Sequence, residues 1–196
     1  MHTRWKPSVT VAAVIERDGR FLLVEEETAE GLRLNNPAGH LDPGESPEQA
    51  CAREVLEETA HHFRPTALLG IYLARFERPA PRQDITYLRM TFCGDLGSHD
   101  PLRRLDTGIV RTLWLTFDEL RESAPRHRSP LVLRGVEEYL AGVRHPLSLI
   151  HTDPTVLAPV KQRSAFHGWQ RITAKHRELA RRHPGNGRGM VIARPG

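Results

Sequence analysis

The sequence predicts an α/β fold, a mixed β-sheet covered on both faces by helices, and three observations carry that prediction. Short apolar, β-branched runs alternate with turn signals through much of the chain. A well-marked helix start interrupts them at Ser46, and two further helical patterns follow, beginning near Thr116 and Ser129.

Residues 9–16 and 21–26 are rich in apolar and β-branched side chains and flank Arg17-Asp18-Gly19-Arg20. Asp-Gly is a strong tight-turn signal, so the two runs are expected to form a β-hairpin. Residues 31–43 carry Asn35, Asn36, Pro37, Gly39 and Pro43, which predicts a short strand inside a long loop. In the helix that follows, Ser46 is the N-cap, Pro47 the first helical residue and Gln49 the far member of a Ser-x-x-Gln capping box. His61 and His62 are expected to finish that helix. Residues 67–76 and 85–95 then predict a second hairpin with a Pro-rich, charged connection. Residues 110–115 read as a further strand with Trp114 in the core. Thr116 opens a short helix, and residues 129–143 form the closing helix with Pro130 in its first turn.

The chain has 196 residues, enough for one full domain and a modest extension but short for two ordinary domains. Residues 1–150 are expected to form the catalytic domain, and residues 151–196 a basic extension, partly helical or flexible. The overall charge of +4 hides that division. From His151 onward nine Lys and Arg oppose Asp153 and Glu178, a net +7, which leaves −3 for the first 150 residues. Hydrophobic residues at 39% suit a globular chain, and no stretch approaches the roughly 20 apolar residues of a membrane helix. Glu16 and Arg17 also cut the first apolar run below signal-peptide length, so a cytoplasmic address is expected. Cys51 and Cys93 lack metal or redox spacing and read as small buried hydrophobes. Oligomeric state has no signature in the sequence.

The chemistry lies on the first helix. Each helical residue advances about 100°, so Glu54, Glu57 and Glu58 share one face, while Cys51, Ala52, Val55 and Thr59 form a separate flank that can pack on the sheet. Like charges at this spacing cost a few tenths of a kcal/mol per pair, roughly, which a divalent cation would offset. Hard oxygen donors without His or Cys point to Mg²⁺ or Mn²⁺ and away from zinc. Magnesium shares its ligation with substrate phosphate, which implies a small-molecule di- or triphosphate as partner. On the glutamate spacing alone, a solvated helix face is the commoner reading.

The wider pattern is more specific. Gly39-x5-Glu45-x7-Arg53-Glu54-Val55-x-Glu57-Glu58 resembles the Nudix box at seven defined positions. The resemblance implies the Nudix α/β/α sandwich, with the box as a loop–helix–loop catalytic motif. It implies Glu54, Glu57 and Glu58 as metal ligands, one of them also orienting or deprotonating the attacking water. It implies Arg53 and Glu45 as the partners that hold the box, and the Gly39 carbonyl as a further metal ligand. The pattern departs from the family at Ala60 and His61, where a glycine and an apolar residue are usual. Ala60 therefore implies either a strained helix end or one more helical turn.

Three flanking runs are similar to the NudJ-type phosphatase branch of that family: residues 6–12, Asn35-x-Pro37-Ala38-Gly39-His40-Leu41, and Arg128-Ser129-Pro130-Leu131-Val132. This likeness implies nucleoside tri- and diphosphates, or the pyrophosphate of the thiamine pyrimidine, as substrates, with release of orthophosphate. Arg33, Asn35 and His40 lie where they would meet substrate or shape the loop. Alternation decides whether Arg89 faces the cleft, and Asp106 is expected in a surface loop. Two other readings share these residues. One is a nucleotide- or RNA-binding module, the basic extension with Phe166 and Trp169 offering phosphate contacts and stacking unless it is simply solvated; the other is an RNA-end pyrophosphohydrolase.

Overall fold

Burial along the first strand, β1 (Ser8–Val14), explains the architecture. Val11, Ala12, Ala13 and Val14 are all buried, so both faces of the strand need cover and it lies inside a sheet. The computed structural model describes residues 5–78 and 83–158, with no side-chain description at 77, 78 and 83; the turn of the second expected hairpin and nearly all of the basic extension lie outside these residues. The chain continues through β2 (Glu16–Arg17), β3 (Arg20–Thr28), β4 (Gly31–Asn35) and β5 (Ala38–His40) into helix α1 (Pro47–Thr59). The long strands β6 (His61–Arg78) and β7 (Gln83–His99) follow, then β8 (Ile109–Thr116), α2 (Phe117–Glu122) and α3 (Leu131–Leu140). The compact unit runs to Ala158.

Two sheets share the strands. The first is mixed, in the order β5-β1-β7-β6, with β1 parallel to β7 and antiparallel to β5. The second is antiparallel and built on β3, which pairs with β2, β4 and β8. Helices cover both sides. Ala50, Cys51 and Val55 of α1 pack with Val11, Ala13, Ile15, Leu22 and Phe92, whereas Val132 and Val136 of α3 pack with Val14, Leu23, Leu69 and Cys93. The alternation of Val11 and Ala13 against Val14 is what a strand requires when its two faces meet different helices. Both cysteines are free and buried, as expected.

The structure corrects three local expectations. Asp18 and Gly19 do adopt positive φ, 54° and 75°, as a type I′ turn requires. The fold-back on β3 is confined to Glu16 and Arg17, with Ile15 O accepting from Leu22 N–H at 2.9 Å, while β1 leaves the hairpin for the mixed sheet. An apolar run buried on both faces gains more between β5 and β7 than at the open edge of a hairpin. The second correction is at His61 and His62, which begin β6 and do not finish the helix. Ala60 ends α1 in the left-handed region at φ 57°, ψ 18°, its N–H donating to Leu56 O and its carbonyl accepting from Asp100 N at 2.8 Å. The closing helix is also shorter than expected, ending before Gly142, which takes φ 78°.

The strain at Ala60 leads to a measurable expectation. Ala60→Gly should raise the unfolding free energy by roughly 0.5–1 kcal/mol in urea titration, and Ala60→Val should lower it, because left-handed backbone costs a side-chain-bearing residue about 1–2 kcal/mol. A second expectation concerns Glu25, which is 2% exposed. It accepts from Arg111 Nε at 2.7 Å and from Arg126. The Arg111 hydrogen bond, ahead of the opposing effect of burial, holds its carboxyl below the usual range. A depressed folded value means that Glu25 stabilises the protein above the ordinary carboxylate range, an effect lost as pH falls through the folded value. Glu25→Gln should therefore flatten the acid limb of a melting-temperature–pH profile and leave its alkaline limb unchanged.

Candidate active site

The site is built from the start of α1. Gln49 N–H donates to Ser46 Oγ at 3.2 Å and Ser46 N–H to Gln49 Oε1 at 2.8 Å, the reciprocal capping box read from the sequence. With the helix start fixed, Glu54 meets β5 at Gly39. A Cβ placed on Gly39 would fall 2.1 Å from the Glu54 carboxyl carbon, so only glycine admits this approach. One turn later Glu58 accepts the Ala38 N–H at 2.8 Å. Helix and strand are thus joined through two of the three carboxylates.

Arg53 organises the rest. Its Nε and Nη2 donate to the two oxygens of Glu45 at 2.9 and 2.7 Å, a two-pronged bond, and Nη2 also reaches His40 O at 2.9 Å. Its Nη1 donates to Glu54 Oε1 at 2.7 Å and to Glu57 Oε2 at 3.0 Å. Glu45 also accepts from Asp42 N–H at 2.7 Å, so the loop before the helix is tied to the helix face. The Arg53 hydrogen bond, followed by opposing burial and the Asp42 N–H, holds the Glu45 carboxyl below its ordinary range.

Glu58 and Glu54 are driven the other way. Burial first, with repulsion from Glu54, Glu26 and Asp106, pushes the Glu58 carboxyl up to about 8 against the Ala38 N–H. Burial also raises Glu54, opposed by Arg53 and assisted by Glu57 and Asp106. Asp106 is exposed, as expected of a loop aspartate, yet its N–H donates to Glu57 O at 3.0 Å, so its charge is felt at the site. Among the described residues no three His, Cys, Asp or Glu side chains form a ready cage for a metal. The donor set still fits a hard cation. Its members are carboxylates, Arg53 bridges Glu54 and Glu57 but does not reach Glu58, and one oxygen each of Glu54, Glu57 and Glu58 makes no hydrogen bond among the described residues.

Beside the carboxylates opens a cleft of about 370 Å³. Asn35, Gly39 and His40 line it, as does Arg89, for which alternation had left two faces open. Arg33 is not a lining residue; its Nη1 donates to Leu32 O at 3.2 Å. The structure adds Glu26, Tyr87 and Arg128 to the cleft. Arg128 lay in a motif that the sequence singled out, whereas Glu26 and Tyr87 had no signal beyond their place on strands. His61 stands away from this chemistry, its ring 4.6 Å from that of His99.

A NUDIX domain model matches residues 4–134. The chain belongs to the Nudix hydrolase family. Phosphatase NudJ of Escherichia coli K12 is 36% identical to it over 147 residues, covering 74% of this chain and 92% of that protein, and the Shigella flexneri phosphatase NudJ gives the same figures. A solved NUDIX hydrolase from Nitrosomonas europaea is 52% identical and superposes with a TM-score of 0.70 over 76% of this chain and 98% of its own. A MutT NUDIX hydrolase from Burkholderia pseudomallei, 22% identical, shares the fold at a TM-score of 0.55, covering 68% and 98%. As a Nudix hydrolase the chain is an enzyme of general pyrophosphohydrolase type with a small-molecule phosphate substrate, in a family that generally uses divalent metals. Among the described residues no helix is long and apolar enough to cross a membrane.

Gly39→Ala is the sharpest single test of this geometry. The added methyl would displace the flexible end of Glu54, so the variant should keep its melting temperature within a few degrees while kcat falls by at least about tenfold. Unchanged turnover would mean that Glu54 is not needed in its observed place.

Proposed function

We propose that the enzyme is a Mg²⁺-dependent hydrolase of the phosphoanhydride bond in nucleoside tri- or diphosphates, or in related small pyrophosphates such as that of the thiamine pyrimidine, by attack of water on phosphorus. The observation that supports this most directly is the approach of Glu54 to Gly39 and of Glu58 to Ala38, two residues that line the same cleft as cationic Arg89 and Arg128. Glu54, Glu57, Glu58 and the Gly39 carbonyl would hold the metal, and Mn²⁺ would satisfy the same donors. Bound there, the cation supplies a lowered water pKa and neutralises charge that develops on the phosphoryl oxygens.

The protein's own residues do the rest. Arg53 and Glu45 keep the loop and helix in register, so that the carboxylates stay beside β5. One of the three carboxylates orients the water or takes its proton. Asn35 and His40, both in the cleft wall, contact substrate, and Arg33 serves the loop through Leu32 O. Release of orthophosphate is favoured over pyrophosphate, because the relatives at 36% identity carry the name phosphatase.

The test is a panel of nucleoside tri- and diphosphates, nucleoside diphosphate sugars and thiamine pyrophosphates with Mg²⁺, scored separately for orthophosphate and pyrophosphate. Glu57→Gln combined with Glu58→Gln should lower turnover on the order of 10³-fold, and chelation should abolish activity until Mg²⁺ or Mn²⁺ is restored. Full activity in the double variant, or no turnover of any panel member by the pure enzyme, would sink the proposal.

A further inference from the structure

The cleft contains polar atoms that the protein does not satisfy. Arg89 stands on β7, opposite Thr10 of β1 and Tyr72 of β6. Its Nη1 is sealed from solvent and has no hydrogen-bond partner among the described residues. Thr10 Oγ1, Glu26 Oε1 and Asn35 Oδ1 are in the same condition, and all four residues line the one cleft. An unpaired buried polar group is costly, so such atoms are ordinarily scattered and few. Their concentration here points to a ligand that completes them.

The two cations of the cleft are not equivalent. Arg128 Nη1 lies 3.6 Å from Glu26 Oε2 and so has a carboxylate partner. Arg89 feels the charges of Glu26 and Glu58 but makes no hydrogen bond to either among the described residues. Burial pushes its guanidinium down to about 10, which still leaves it charged at neutral pH. A desolvated guanidinium with unused donors is complementary to an anion that offers two oxygens in a plane, as a phosphate group does. Farther along the wall, the Tyr87 ring stands 6.2 Å from His40 and 5.6 Å from Phe76, an aromatic surface for the flat part of such a ligand.

We infer that Arg89 is the substrate-positioning residue of this cleft, its guanidinium receiving oxygens of the substrate's phosphate chain beside the α1 carboxylates. The inference rests on the proposed phosphoanhydride hydrolysis and deepens it, since it selects substrates with a chain of at least two phosphates. The rival role, a structural counter-ion for Glu26 and Glu58, makes different demands on experiment.

Imidodiphosphate, whose P–N–P bridge replaces the cleavable oxygen, is titrated calorimetrically with Mg²⁺ into the wild-type enzyme, Arg89→Gln and Arg89→Lys. Steady-state kinetics and Mn²⁺ binding are measured on the same proteins. Positioning by Arg89 should weaken imidodiphosphate binding by about tenfold or more in Arg89→Gln, with part of the loss recovered in Arg89→Lys. KM should rise while kcat stays within about threefold and Mn²⁺ affinity is unchanged. Wild-type affinity in Arg89→Gln would overturn the inference, as would absence of imidodiphosphate binding by the wild-type enzyme. Equal losses of Mn²⁺ and imidodiphosphate binding in both variants would also overturn it, in favour of the counter-ion role. If Arg89→Gln fails to fold, Arg89→Lys with undiminished affinity and KM decides against it and a weakened one decides for it, because lysine keeps the charge but loses the planar fork. Binding is read without turnover, so an enzyme that binds through Arg89 yet hydrolyses nothing in the panel would refute the proposed reaction and leave this inference standing.

Discussion

The candidate site depends on a single guanidinium. Arg53 bonds both oxygens of Glu45, one oxygen each of Glu54 and Glu57, and the His40 carbonyl, and so joins a loop, a strand end and a helix face that would otherwise be held by separate weak contacts. Its planar fork matters as much as its charge. Two parallel donors fix Glu45, and the remaining prong holds two carboxylates that would repel one another. Lysine could supply the charge but not this division of directions.

Around that clamp the electrostatics are deliberately uneven. Glu45, bonded on both oxygens to Arg53, is held low, while Glu58, buried beyond the clamp's reach, is held high. The loop before the helix therefore carries a carboxylate committed to structure, while the helix carries two, Glu54 and Glu58, whose charge is costly. The difference arises from burial and distance from one arginine, since the chemical groups are identical.

Much of this was legible in the sequence because it is local. The capping box at Ser46, Pro47 and Gln49 and the shared face of Glu54, Glu57 and Glu58 follow from helical spacing, and they stand where the sequence placed them. The hairpin at Asp18-Gly19 was legible only at its turn. The partner of β1 is decided by burial on two faces against strands that are distant in the chain. His61 and His62 were misassigned because continuation past Ala60 depended on whether one alanine would take a left-handed conformation, which the tertiary hydrogen bond from Asp100 helps decide. Arg89 could not be oriented until β7 had a register, and Glu26 reads in isolation as an ordinary carboxylate near a strand end.

The central place of β1 divides the cleft into walls of unequal firmness. Gly39 and Ala38 sit on β5, hydrogen-bonded along β1, whose residues 11–14 are almost wholly inaccessible to solvent. Amides there exchange with water only through opening of the sheet itself, so this wall belongs to the global cooperative unit. Phe76, Ile85 and Tyr87, farther across the same sheet, lie toward the far end of the β6–β7 hairpin, where neighbouring Leu73 is 66% exposed. Tyr87 still pairs with Ser8 of β1, but Phe76 and Ile85 lie beyond the last β1 pair and are held only by one another across the hairpin, so opening there leaves β1 paired. The carboxylates thus rest on the wall that keeps its shape, and adaptation to the bulk of an incoming ligand falls to the other.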